Sequence, residues 1–398
     1  MKKALLAAAL MSAGIVAHAQ SSVTMYGRLD VGVQYRTGIP GGNAVQMESG
    51  DWGESEFGFR GAEDLGGGTK AIFKLEMGLD MLNGNYQNGS LFGREARVGL
   101  TNDTWGTFKI GYAGAAEISQ DSWDVDPQLM QFYSIATLVR GRNWAQAGNS
   151  VEYTSPLLAG LTLKGQYDLS NASNWNGNGG TGSAPGQLGA TSGFGASQGR
   201  SDGAKIQYNA SAFELQAIYD EIRDPFGRFS NVYLYSRSIL AGGTYSLGPV
   251  KFYAGYQHLS APDADEAGYD FAATPGGASL PTAVDHEWGG VGWQITPVTL
   301  LTAAIYHANA NNGNGNATLY TLAGSYNLSK RTFLYSELGY IHNSSTSNIG
   351  LGDGYADPYG TGGASNANGG GAVGSGINEG PGYGHGQFAG NVGIMTQF

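Results

Sequence analysis

From Val23 to Phe398 the chain repeats one pattern, a segment of alternating apolar and polar side chains followed by a turn. In Lys70 to Asp80, Ala71, Phe73, Leu75, Met77 and Leu79 oppose Lys70, Lys74, Glu76 and Asp80. In Val250 to Gln257, Val250, Phe252, Ala254 and Tyr256 oppose Lys251, Tyr253 and Gln257. Period two marks a strand with one greasy and one wet face. About sixteen such segments can be counted, each near the ten residues a tilted strand needs to cross a bilayer. The last one runs from Gln387 to Phe398 and sets Phe388, Val392, Ile394 and Phe398 on one face. A final strand ending on an aromatic suggests a sheet that must close into a ring.

The connections support closure. Short turns (Asp64 to Gly68, Asn102 to Thr104, Leu247 to Pro249, Thr296-Pro297, Leu328 to Lys330) alternate with long segments (Gly114 to Gly148, Ser170 to Ser201, Ser260 to Val284, Asn343 to Gly386). Short turns on one rim and long loops on the other are a transmembrane-barrel trait. A soluble sandwich would alternate too, but without that asymmetry. Only 13% of residues are charged, against about 25% in ordinary soluble domains.

Lys2 and Lys3, the apolar stretch Ala4 to Ala17 and the Ala17-His18-Ala19 site read as a cleaved signal peptide over 1–19, leaving 20–398 as one barrel domain. Loss of the two lysines takes the net charge from −11 to −13, which argues against nucleic acid as a partner. No cysteine is present, and the six histidines are scattered without metal-ligand spacing. Gly66-Gly67-Gly68-Thr69-Lys70 has the wrong order for a phosphate loop, and a strand follows it. Neither enzyme chemistry nor a cofactor or metal is expected.

If apolar faces meet lipid, charged faces meet the lumen. Arg28, Arg60, Lys70, Lys74, Arg94, Lys109, Lys164, Lys205 and Lys251 are inward candidates, together with Asp30, Glu56, Glu76, Asp80, Glu152, Asp168, Glu214 and Glu337. The segment Gly114 to Gly148 differs from the Gly/Asn/Ser-rich loops. It carries Glu117, Asp121, Asp124, Asp126, Arg140 and Arg142, with apolar anchors that include Trp123, Leu129, Met130, Phe132, Tyr133, Ile135 and Leu138. The expectation is that it folds into the barrel and opposes its acids to the basic wall. An external loop packed on its neighbours, or at a subunit contact, is the alternative. Charges set across a constriction favour polar solutes and bias cations against anions.

The run Ser55-Glu56-Phe57-Gly58-Phe59-Arg60-Gly61-Ala62-Glu63-Asp64-Leu65-Gly66 resembles the second strand and turn of general porins of Gram-negative bacteria, of the betaproteobacterial type. Leu91 to Leu100, Asn149 to Pro156, Leu328 to Thr332, Ser22 to Gly27 and the terminal Phe398 fit the same family. The resemblance implies a sixteen-stranded antiparallel transmembrane β-barrel with an inward-folded third loop. It also implies a homotrimer among outer-membrane lipid and lipopolysaccharide, passing ions and small hydrophilic solutes. Phe398 would be the handle for the barrel-assembly machinery. Arg60 and Arg94 stand where the family has basic wall residues. Glu56 stands where it has Arg, replacing a positive wall charge with a negative one, and with the acidic net charge this suggests a cation preference. Arg97 occupies a usual aromatic position, and strand parity turns it away from the lumen, to a rim or subunit-contact position. The alternatives are a substrate-specific channel, or an adhesin or receptor using its long loops, with Tyr355, Tyr359 and Tyr383 as contacts.

Overall fold

The alternating segments pair edge to edge, each with its sequence neighbours. A computed structural model describes residues 22–39, 42–86, 90–129, 131–145, 147–168, 200–223, 227–233, 235–264, 281–313, 315–351 and 380–398. The signal-peptide residues, Met130, Tyr355, Tyr359 and most of the loops 170–201, 260–284 and 343–386 lie outside the described residues. The first strands are β1 (Ser22–Ile39), β2 (Gly42–Ser49), β3 (Glu56–Gly66), β4 (Thr69–Gly78), β5 (Glu95–Asn102) and β6 (Gly106–Gly114). After the inward loop come β7 (Ala147–Thr154), β8 (Leu161–Asp168), β9 (Ser201–Asn209), β10 (Phe213–Ile222), β11 (Arg237–Leu247) and β12 (Val250–Ser260). The circuit ends with β13 (Ala283–Thr296), β14 (Thr299–Ala310), β15 (Ala317–Asn327), β16 (Thr332–Asn343) and β17 (Gln387–Gln397). All pairings are antiparallel, and β17 closes on β1 from Arg28↔Gln397 to Arg36↔Ala389. Closure gives every described strand but β2 a paired neighbour on both sides, as a barrel in lipid needs.

Seventeen segments make sixteen wall positions. The opposite edge of β1 is shared: Ser22 to Arg28 pair with β3, and Val31 to Ile39 pair with β2. β2 and β3 are therefore one strand interrupted at 50–55. Its upper half was not expected from the sequence, because only Val45 and Met47 against Gln46 and Glu48 mark it. The break is held by Asp30, whose carboxylate accepts from the Trp52 and Gly53 N–H groups at 2.9 and 2.8 Å. Tyr335 O–H donates to its other oxygen at 2.5 Å.

The predicted faces hold. Val23, Met25, Leu215, Ile239, Val392 and Ile394 are exposed on the outer, lipid side. The buried apolar cluster lies inside, where Ile118, Val125, Tyr133, Ile135 and Leu138 of the loop meet Ile218, Leu240, Tyr306, Leu319 and Ile341 of the wall.

Candidate functional site

The loop from β6 to β7 is folded against the inner wall. A 3₁₀ helix at Ile118–Val125 starts at Glu117, whose side chain accepts from Ser119 N at 2.7 Å. A short α-helix, α1 (Ile135–Leu138), starts at a capping box made by Ser134 and Thr137. Leu129 and Arg140 hold positive φ, an uncommon conformation for residues other than glycine.

The wall makes room for the loop with glycines on four strands. A Cβ at Gly203 would meet Ile118 at 2.6 Å, one at Gly242 would meet Val125 at 2.9 Å, and one at Gly339 would meet Tyr133 at 2.8 Å. A Cβ at Gly290 would collide with the Pro127 ring. Hydrogen bonds complete the seat: Trp288 Nε1 donates to Val125 O at 2.9 Å, Tyr306 O–H to Asp126 at 2.5 Å, and Gln128 Nε2 to Thr321 Oγ1 at 2.8 Å. No periodicity advertises these glycines in a chain that holds 67 of them.

The predicted loop residues divide into two groups. Asp121 and Asp124 remain partly exposed to the lumen. Asp121 pairs with Lys164 of β8 at 3.2 Å, and Asp124 with Lys205 of β9 at 3.0 Å. Glu117, Asp126, Arg140 and Arg142 are buried, so their side chains meet protein and not the water of the lumen. Arg142 is ion-paired to Asp220 and donates to Ser236 Oγ at 2.9 Å. Arg140 lies over the Tyr233 ring at 5.6 Å. A polar side chain so buried is shielded from water and must find its partners in the protein. Burial pushes the Glu117 carboxyl up to about 7, and the nearby Asp220 adds to the rise, against the lowering by Ser119 and Arg142.

The wall residues form a continuous alternation of charge. Arg28 pairs with Glu56 at 3.1 Å, and Arg94 pairs with Glu56 at 3.1 Å, with Glu76 at 3.0 Å and with Glu54. Lys74 bridges Glu76 (2.9 Å) and Glu95 (2.7 Å), and Arg97 bridges Glu95 (2.6 Å) and Glu152 (2.9 Å). Glu152 also receives Lys109 at 3.1 Å and Lys164 at 3.5 Å, which joins the wall series to the loop acids. Arg97 therefore points inward, contrary to the parity count. Arg94 precedes β5, so the alternation starts at Glu95 and not at Arg94. Arg60 lies over the Tyr26 ring at 5.2 Å. Glu56 sits between two arginines, so the acid at this position links cations. Among the described residues no group of three or more ligand-type side chains could hold a metal ion.

Comparison with known proteins agrees with this architecture. The family model described as Gram-negative porin matches residues 4–346. An outer membrane porin protein of Bordetella pertussis is 28% identical over 384 residues, covering 86% of this chain and 95% of that one. Outer membrane porin protein 32 of Delftia acidovorans is 29% identical over 364 residues, covering 88% and 92%. Among solved structures, the anion-selective porin from Comamonas acidovorans superposes with a TM-score of 0.69 at 21% identity, covering 95% of this chain and all of that one. A closed barrel with a charged inner face, an inward loop and these relatives leads to one statement: the chain belongs to the Gram-negative porin family, the channel proteins of the outer membrane.

Proposed function

We propose that the lumen passes ions and small hydrophilic solutes by passive diffusion, with no bond made or broken, and that selectivity is set where the inward loop meets the charged wall. The observation that carries this reading is the joint made by Lys164 between wall acid Glu152 and loop acid Asp121. Charges of both signs, with Asp121 25% exposed and Lys164 14%, then lie along one stretch of the lumen, and such a field would favour polar over greasy solutes. A cation preference is proposed from the acidic chain and from the acid at position 56. Reversal potential in a salt gradient across a planar bilayer tests it, and an anion-selective sign overturns it.

A homotrimer seated among outer-membrane lipid and lipopolysaccharide, and inserted by the barrel-assembly machinery, belongs to the same proposal. A solved relative from Vibrio cholerae, described as a trimer form, supports it. One feature favours a substrate-specific channel as a second reading. Arg60, Lys74, Arg97 and Lys109 line a cleft of about 380 Å³ together with Thr24 and Ser22. Reduction of single-channel current by one class of small solute and not by others would select that reading.

A further inference from the structure

The inward loop presents a large aromatic side chain to the lumen. Most sides of its 3₁₀ helix, Ile118–Val125, are occupied. Ile118 and Val125 seat on the wall glycines Gly203 and Gly242. Ser122 Oγ accepts from Asn143 Nδ2 at 3.0 Å and Gln120 Nε2 donates to Ala145 O at 2.6 Å, so these two residues turn to the returning limb of the loop. Asp121 and Asp124 reach the wall lysines of β8 and β9. Trp123 takes the side that is left. It is 51% exposed, whereas Ile118, Val125, Tyr133, Ile135 and Leu138 of the same loop are fully buried. On an element packed against the inner wall of a barrel, the exposed side faces the lumen.

An indole has a broad apolar face and a single N–H donor. Free energy is gained when another apolar surface covers that face. The groups flanking Trp123 narrow the choice of surface. Their charges cancel: Asp121 pairs with Lys164 at 3.2 Å and Asp124 with Lys205 at 3.0 Å. Asp121 also lies 3.5 Å from Lys205, which ties the two pairs together. A cancelled set exerts little net pull on an ion, yet its carboxylates still accept hydrogen bonds and its ammonium groups still donate them. The acids keep 25% and 23% of their side-chain surface open. Gln207 and Gln216 add amides, whose Nε2 atoms lie 3.5 Å from Asp124 and 3.2 Å from Asp121 O. The complementary solute is therefore uncharged, with one apolar face for the indole and a rim of groups that both donate and accept. A pyranose ring has that form: its axial C–H bonds make a face apolar, and its hydroxyls project around the edge.

We infer that Trp123 is a stacking platform for the pyranose ring of a neutral sugar, with Asp121 and Asp124 as partners for its hydroxyls. The inference rests on the diffusion reading of the lumen and adds a solute class to it. One ring on one indole is a weak site, as permeation requires, because a solute must leave as readily as it enters.

The test records single-channel currents of the full-length protein in planar bilayers. Maltotriose is the probe. Sorbitol, an acyclic polyol without an apolar ring face, is the control at matched viscosity. In the wild type, maltotriose should lower the current saturably, while sorbitol lowers it only as far as bulk conductivity falls. In Trp123→Ala the half-saturating concentration should rise about tenfold, the scale of one ring face returned to water. Trp123→Phe, with a smaller ring, should fall between. Trp123→Leu, apolar without a flat face, should resemble Trp123→Ala. An unchanged half-saturation in Trp123→Ala overturns the inference, as does a wild-type response to maltotriose no greater than that to sorbitol. A stronger saturable response to benzyl alcohol than to maltotriose overturns the sugar assignment. Current in salt alone reports on the channel reading. A conducting pore without a saturable maltotriose response removes the platform and leaves diffusion standing, whereas the absence of any current refutes both.

Discussion

Single residues decide where this barrel closes and how near its loop can come. Phe398 donates its N–H to Gly27 O at 3.0 Å and accepts from Gly27 N at 3.2 Å. Its ring covers Gly27 so closely that a Cβ there would lie 2.6 Å from a ring carbon. Deleting Phe398 removes two seam hydrogen bonds and the ring together. Folded barrel, measured as heat-modifiable protein in outer-membrane fractions, should fall, and an unchanged amount would refute this role for the seam. Gly339 plays the corresponding part for the loop, since Tyr133 lies against it. Gly339→Val should cost about 1–3 kcal/mol of docking by overpacking. Open-channel current noise should rise, and current as quiet as wild type would contradict the seat.

The inward loop behaves as an element tethered at both ends. At one end Glu117 is buried and its carboxyl is raised to about 7. The docked form therefore holds the proton more tightly than an unfolded or released loop, whose Glu titrates near 4.3. Docking is then strongest below that value and weakens as pH rises towards about 7. Glu117→Gln should flatten the pH dependence of current noise across this window, and a wild-type profile in the variant would refute the assignment. On the wall, Glu152 is the shared partner of Arg97, Lys109 and Lys164, and it is buried. Glu152→Ala leaves the buried Arg97 guanidinium with Glu95 as its partner, and the lost charge-assisted hydrogen bond costs about 1.5–3 kcal/mol. Denaturant unfolding in detergent should show that loss. Arg97 was the residue whose direction the sequence misplaced, because a side chain's face follows from where its strand starts, and Glu95, not Arg94, starts β5.

At the scale of the whole molecule, the ion-paired residues described along the wall and the loop nearly balance one another. Arg28, Lys74, Arg94, Arg97, Lys109, Lys164 and Lys205 are answered by Glu54, Glu56, Glu76, Glu95, Glu152, Asp121 and Asp124. Paired charges leave a short-ranged field, so ion selectivity should be modest. It should grow as salt is lowered and the screening length increases. Reversal potentials at two ionic strengths check this, and selectivity that ignores salt would refute it. Apart from β2 and the direction of Arg97, the sequence by itself determined the strands, their two faces, the unequal rims and the identity of the unusual loop. These are local properties, written in period-two alternation and in turn composition. Only the tertiary structure decided that β2 and β3 share one wall position and that Arg97 meets Glu152 across 55 residues. It alone decided that Glu117, Asp126, Arg140 and Arg142 are buried tethers while Asp121 and Asp124 face the lumen. The physical reason is that pairing and burial depend on which distant strand a side chain meets, and ring closure brings those strands together.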